Sequence, residues 1–312
     1  MNKNITKEDK IFSMSSNEFG LEDLLKTFRK KKLIILSSSF LVSLIFYFLS
    51  FFLNDIYKSE IIISSSSDNQ SSILSNYSSL ASIAGINLPS QSNTIRADEG
   101  IEIIQSLGFF KKILPKYNFK LYLSAAKEWN REKNTLVYDS NIYDSERNNW
   151  KSNDVHAING VPSDQNVHRI FLDSLTVNKD ADTGFIKISF KHLSPFVAKE
   201  ILDLVVQEIN GISRDQDILI MYDTIDFLKL ELKKNTLNEV RNAIANTIQK
   251  QIETIAIANS SPNYLFKILS EPSVPEFKSG PNRVLIFLLS FVLVFLITFL
   301  FYLVKELNSK TR

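Results

Sequence analysis

Two stretches of this chain carry no charged residue over a length that spans a bilayer. They are residues 33–53, "LIILSSSFLVSLIFYFLSFFL", and residues 284–304, "VLIFLLSFVLVFLITFLFYLV", each 21 residues long. At the helical rise either covers about 32 Å, roughly the hydrocarbon core. The mean hydropathy of −0.03 hides them, because the apolar residues are segregated into these blocks. A cleaved signal peptide does not account for the first, since signal cores run about 7–15 residues and end in an A-x-A-like site that is missing here. The second is apolar all round, which does not suit a helix with one face in a soluble core. A chain with a span near each end leaves the membrane once and returns once. Everything between forms one outer segment.

The flanks orient that segment. Residues 1–32 hold eight Lys/Arg against five Asp/Glu, and Arg29, Lys30, Lys31 and Lys32 abut the first span. Residues 305–312 hold Lys305, Lys310 and Arg312 against Glu306. The positive-inside rule puts both tails in the cytoplasm and residues 54–283 outside. A formal net charge of +2 makes no case for nucleic acid. The chain has no cysteine, which excludes disulfides, thiol catalysis and thiolate zinc sites.

The outer segment opens on a strand signal, "YKSEIIISS" from Tyr57. The serine-rich run after it has apolar residues at helical spacing over 71–85 ("SSILSNYSSLASIAG"), then a polar loop. "ADEGIEIIQSLGFFKKIL" (97–114) predicts a helix with acids in its first turn and Lys111 and Lys112 in its last, stopped by Pro115. Residues 118–165 show no clear period and are expected to form a long surface excursion. "DSLTVNKD" and "GFIKISFKH" predict two strands joined by a tight turn.

A long helix follows. Ser194 is a natural N-cap and Pro195 a natural first helical residue. Val205, Val206, Ile209 and Ile212 start an apolar stripe that continues as Ile218, Met221, Ile225, Leu228 and Leu232. The spacing then slips at "KKNT" and resumes as Leu237, Val240, Ile244, Ile248, Ile252 and Ile255. Thr236 with Glu239 reads as a capping box for a new helix. Two helices, about 195–233 and 237–258, are therefore expected, meeting at a kink or a tight hairpin. Length favours the hairpin, since a straight helix would leave the chain about 95 Å from its start. Pro272, Pro275 and Pro281 then stiffen residues 271–283 into a strut ahead of the second span.

Catalytic patterns are missing. His156, His168 and His192 form no HExxH, and eight glycines make neither GxGxxG nor GxxxxGK[ST]. There is no GxSxG. Acids such as Asp139, Asp144 and Glu146 are plentiful, but nothing singles out a pair. No catalytic, cofactor-binding or metal-binding residue is assigned. The sites expected are an assembly stripe (Ile218, Met221, Ile225, Leu228, Leu232) and a membrane-proximal coupling segment (Pro272, Pro275, Pro281, Arg283). The reasoning for the first is that a projecting hairpin cannot bury so wide a stripe alone, and a second copy of the chain would cover it.

The order of features resembles one family. Basic flank, span, "YKSEIII", "SSLASIAGINL", "ADEGIEIIQSLGFF", "DADTGFIKISFKHLSPFVAKEILDLVVQEIN", "YLFKILSEPSVPEFKSGPNRVLI" and a second span follow each other as in the polysaccharide co-polymerases, the Wzz-type chain-length determinants. The resemblance runs from about Asn17 to Glu306. It implies an α+β membrane protein in which two transmembrane helices flank a periplasmic α/β base domain with a long projecting helix or helical hairpin. The divisions are a cytoplasmic tail (1–32), a span (33–53), a periplasmic domain (54–283), a span (284–304) and a cytoplasmic tail (305–312).

The resemblance further implies a non-enzymatic inner-membrane regulator of O-antigen-like polysaccharide length, without cofactor. It would act as a ring-like homo-oligomer with a separate polymerase and the growing lipid-linked glycan. The chain is short for the family, so its projection should be shallower, and it has no glycine after Gly280, which argues against close span–span packing through small residues. Three other functions stay open: an export subunit acting with a transporter and an outer-membrane channel, a periplasmic sensor, and a periplasmic enzyme built on a carboxylate constellation.

Overall fold

The structure, a computed structural model, describes residues 21–66, 93–151 and 157–310. The first 20 residues, the helix expected at 71–85, most of the loop after it and His156 lie outside the described residues. The chain divides into two compact units, residues 1–54 with 281–312, and residues 55–280.

The first unit is a pair of long helices, α1 (Leu21–Leu49) and α7 (Arg283–Lys310). Within them Arg29–Phe52 and Arg283–Lys305 are long and apolar enough to cross a membrane. The helices run antiparallel: Ser39 Oγ lies 3.5 Å from Thr298 Oγ1, and Tyr47 meets Phe287 edge-on, ring centres 6.2 Å apart. Ile35, Ser39, Ser43 and Ser50 of this unit are buried. Ser39 and Ser43 are one turn apart, a small-xxx-small face that lets a neighbour approach closely. Each hydroxyl bonds the carbonyl four residues back, so neither brings an unpaired polar group to the contact. The expectation against close packing through small residues is thus corrected: the second helix has no glycine, but the serines of α1 supply the small face.

The second unit is built on a four-stranded antiparallel sheet, order β6-β7-β1-β8. Its strands are β1 (Tyr57–Ser65), β6 (Leu175–Lys179), β7 (Ile186–His192) and β8 (Phe266–Ser270). Period-2 alternation sets the register. Ile61 pairs with Ile188 and Ile63 with Ile186, so their side chains share one face, while Lys58, Lys187 and Lys191 take the other. Helices cover the apolar face: α2 (Asn93–Gln105), α3 (Leu107–Ile113), α4 (Asp164–Ser174) and the first half of α5 (Pro195–Lys234). Phe110, Phe119, Phe171 and Phe190 are buried there in a chain of ring contacts 5.1–6.1 Å apart. Val205, Val206 and Ile209 belong to the same core.

The helix expected over 97–114 is two helices. Ser106 is extended, accepts from the Phe109 N–H at 3.1 Å and donates to the Ile103 carbonyl at 2.8 Å, ending α2 and capping α3. Because α2 begins at Asn93, the acids at 98 and 99 are not in its first turn. The excursion over 118–165 holds two small hairpins, β2 (Ala126–Asn130) with β3 (Thr135–Tyr138), and β4 (Tyr143–Asp144) with β5 (Asn149–Trp150). It ends in α4, capped by Ser163.

Gly100 marks the tightest contact of α2 with the core. A Cβ there would lie 2.8 Å from Leu265 Cδ2 and from Phe266 Cζ. In an exposed helix Gly→Ala stabilises by about 1 kcal/mol; here overpacking reverses the sign. We expect Gly100→Ala to cost about 1–3 kcal/mol, read as a lowered urea midpoint of the second unit in the full-length protein. An unchanged or raised midpoint would show that α2 shifts freely.

Candidate assembly surface and membrane-proximal clamp

Past residue 213, α5 leaves the main core. Its exit is pinned by Asp217, which accepts from Arg96 and, at 2.8 Å, from the Tyr264 hydroxyl. The helix then pairs with α6 (Asn238–Ser260) as a hairpin. Met221 and Ile225, both 3% exposed, pack with Ile255, 6% exposed, flanked by Ile218 and Ile248. Leu228 and Leu232 lie further along that face, half-buried. The expected assembly stripe is therefore brought together, but largely against the chain's own return helix. Ile252, counted in the apolar series of α6, is exposed.

The reversal does not use the expected capping box. The N-cap of α6 is Leu237, and no side chain caps it. The turn is closed from the other side, where Asn235 bonds the Glu231 carbonyl through its backbone N–H at 3.1 Å and its Nδ2 at 2.9 Å. Asn at a helix end satisfies carbonyls that have no partner within the helix.

At 100° per residue, Leu219, Ile220, Phe227 and Leu230 fall on the opposite side of α5 from Met221 and Ile225. These four are 56–63% exposed. The outer half of α5 is thus apolar on two faces, one used in the hairpin and one open. Asp223 lies within the open arc and interrupts it. The sequence signal for this second face is present in "ILIMYDTIDFLKLEL", where Leu219, Ile220, Phe227 and Leu230 interleave with the stripe at Ile218, Met221 and Ile225.

The expected coupling segment is divided between the two units: Pro272 and Pro275 belong to residues 55–280, whose two ends meet, and Pro281 and Arg283 belong to the helical unit. Ile56 and Gly280 form an antiparallel bridge: the Ile56 N–H donates to the Gly280 carbonyl at 2.9 Å, and the Ser279 N–H returns to the Ile56 carbonyl at 2.8 Å. Lys278 pairs with Asp55 at 2.9 Å. Further in, Ser59 Oγ donates to the Ser273 carbonyl at 2.8 Å. Pro272 is buried and Pro275 half-buried on this return path. Each proline lacks an N–H, so a rigid return is held by the residues between them. In the helical unit, Pro281 is half-buried and the Arg283 guanidinium lies 4.5 Å from the Phe51 ring centre, a cation–π contact.

The two described histidines have structural surroundings. His168 Nε2 is 2.9 Å from the Gln105 carbonyl, beside Phe110 and Phe171. His192 is 7% exposed. Its Nδ1 accepts the Ser194 N–H at 3.0 Å, so Nε2 carries the proton and donates to the Tyr122 carbonyl at 3.0 Å. It thereby ties β7 to the N-cap of α5. Burial depresses its pKa below the ordinary 6.5. The unfolded chain takes up this proton first, so the contribution is intact above about pH 6.5 and is lost as pH falls through the folded value. The melting temperature of the full-length protein should fall between pH 7.5 and pH 5, and less so in His192→Gln. Equal acid sensitivity in the two proteins would move the effect elsewhere.

Asp144 lies beside Lys151 and accepts backbone N–H groups of its own turn, and both hold it below the usual carboxylate range. Asp139 likewise closes a local turn through Asn141. Among the described residues, no three His, Asp or Glu side chains converge on a possible metal position.

The family Wzz, chain length determinant protein, matches residues 17–117. That segment covers the first apolar helix, β1, α2 and α3. A solved "full-length bacterial polysaccharide co-polymerase" is similar at 10% identity over 93% of this chain and 99% of its own, with a TM-score of 0.37. A fragment of WzzB, the polysaccharide co-polymerase of Salmonella Typhimurium, is similar at 10% identity over 73% of this chain and 100% of its own, with a TM-score of 0.32. No curated protein matches by sequence.

Proposed function

We propose, from a chain whose residues 17–117 match the Wzz chain length determinant family, that this protein is a non-catalytic regulator of polysaccharide chain length in the bacterial inner membrane. The family match is the observation that carries the reading. In it both tails are cytoplasmic, α1 and α7 span the membrane, and residues 54–283 are periplasmic. Two apolar helices of spanning length and the excess of basic residues beside the first support that arrangement.

The protein acts as a homo-oligomer, ring-like, alongside a separate polymerase that extends a lipid-linked O-antigen-like glycan. The open apolar face of α5 supports self-association, because four large exposed side chains on one helical arc cost free energy in water until another surface covers them. The inner stripe, Ile218 to Leu232, supports it indirectly by holding that face rigid. Pro272, Pro275, Pro281 and Arg283 serve as coupling residues in this reading, since the clamp at Ile56 and Gly280 fixes where the return strand leaves the outer unit.

Deletion in the native strain tests it, with the surface polysaccharide resolved by size. A modal band lost while glycan is still made supports length regulation. Complete loss of surface glycan would favour an export subunit, and an unchanged ladder would end the proposal.

A further inference from the structure

The outer unit contains a cleft of about 600 Å³ that the hairpin and the clamp do not use. It lies between the segment after α3 and the β4–β5 hairpin, and residues lining it include Tyr117, Asn118, Lys120, Tyr143, Asn148 and Trp150. We propose that this cleft is a carbohydrate-binding site that holds a short run of uncharged sugar rings. It rests on the function above only for the glycan's identity, the growing chain whose length is regulated.

Three features of the lining select the ligand. The first is the aromatic wall. Tyr143 and Trp150 are direct cross-strand partners, with ring centres 5.1 Å apart at 64°. Tyr117 and Phe119 add two further rings to the lining. Ring faces carry negative charge density, and the C–H faces of a sugar present the complementary positive edge. The second is the pair of amides. An amide both donates and accepts, as does each sugar hydroxyl. The Asn118 side chain has no hydrogen bond to a described residue. Asn148 uses its oxygen to accept from the Tyr143 hydroxyl, and its NH2 has no described partner. The third is the charge. Among the described residues Lys120 is the single ionic group in the lining, and it is paired with Asp164 at 2.8 Å. No carboxylate of a described residue lines the cleft. That combination does not suit a phosphate, a basic peptide or an acyl chain. The volume falls within the range of about 300–1,000 Å³ for small-molecule sites.

The wall is also held more firmly than two-residue strands account for, since a hairpin of this size is not stable alone. Asp144 accepts the Glu146 and Arg147 N–H groups at 3.2 Å and pairs with Lys151 at 2.6 Å. The Lys151 N–H returns to the Ile142 carbonyl at 2.8 Å. Gly160, at φ +77°, packs so close behind that a Cβ would lie 2.7 Å from the Trp150 carbonyl. Binding surfaces gain affinity when their rings are fixed before the ligand arrives.

The test uses the full-length protein in nanodiscs. The probe is the producing strain's surface polysaccharide, freed of lipid by mild acid and trimmed to oligosaccharides, observed by saturation-transfer NMR. We expect transfer to sugar C–H protons in the parent protein and at least a fivefold loss in Asn118→Ala. That residue is exposed, so its replacement should leave the melting temperature unchanged. Trp150→Ala should show the same loss. No transfer in the parent, or equal transfer in a folded Asn118→Ala protein, overturns the site. Transfer that survives in empty nanodiscs means adsorption to lipid and also overturns it. The two readings fail separately. Sugar binding with a deletion ladder that does not change removes the length function and leaves the site. A lost modal band without sugar binding removes the site and leaves the function.

Discussion

Phe227→Asp and Leu230→Asp should turn an oligomer into a folded protomer and erase the modal band. Both side chains lie on the open face of α5, more than half exposed, so a carboxylate there meets water in the protomer and costs little. In an interface the same carboxylate is buried without a partner. Loss of one apolar anchor and burial of one charge together should weaken self-association at least a hundredfold, about 3 kcal/mol. The measurement is particle mass in nanodiscs, paired with the polysaccharide ladder of strains carrying each variant. Met221→Asp and Ile225→Asp form the contrast. Those residues are sealed against Ile255, so their variants should lower the melting temperature by unfolding the hairpin. An oligomer of unchanged mass in Phe227→Asp and Leu230→Asp would show that the open face is not the interface. Loss of mass only in the inner-face variants, without loss of stability, would restore the stripe at Ile218, Met221, Ile225, Leu228 and Leu232 to the assembly role.

The second large effect is expected at Asn210, in the first half of α5. It is 2% exposed. Its Oδ1 accepts the Leu265 and Phe266 N–H groups at 2.8 and 2.7 Å, and its Nδ2 donates to the Phe266 carbonyl at 3.1 Å. One side chain thus satisfies three backbone groups at the start of β8, the edge strand that leads back to the clamp. In Asn210→Leu all three are buried without partners, at about 1–3 kcal/mol each. We expect a loss of at least 4 kcal/mol, enough to lower the yield of folded protein and to shift the urea midpoint strongly. Asn210→Asp keeps the acceptor, loses the donor and buries a charge, so it should also be destabilised. A loss under 1 kcal/mol in both would mean that water reaches the strand end.

Local chemistry made part of this protein legible. "YKSEIIISS" alternates and pairs as β1, and Ser194 with Pro195 starts α5, because cap and period are properties of a few adjacent residues. The capping box at Thr236 and Glu239 shows the limit of such signals. The same four residues fit a cap on paper, yet Asn235 closes the turn and Leu237 takes the N-cap position. A local motif proposes one solution, and the competing hydrogen bond one residue away decides. Ser106 is similar. A serine inside a helical pattern is tolerated, but here its side chain caps a new helix by taking the Phe109 N–H, and Phe109 and Phe110 are buried beyond it.

The candidate surfaces divide along the same line. Amino-acid order alone determined the two apolar helices of spanning length, the basic flank and the helical period of residues 195–233 and 237–258, since each depends on composition or on spacing along one element. Tertiary structure alone decided which face of α5 is consumed by α6 and which stays open, because both faces are apolar and only the hairpin turn distinguishes them. It also brought Ile56 to Gly280, Asn210 to Phe266, and Tyr143 with Trp150 to the segment after α3. Those neighbours lie from tens of residues to more than two hundred apart. Their meeting depends on how helices of fixed length pack across a sheet, which no pattern within one element records.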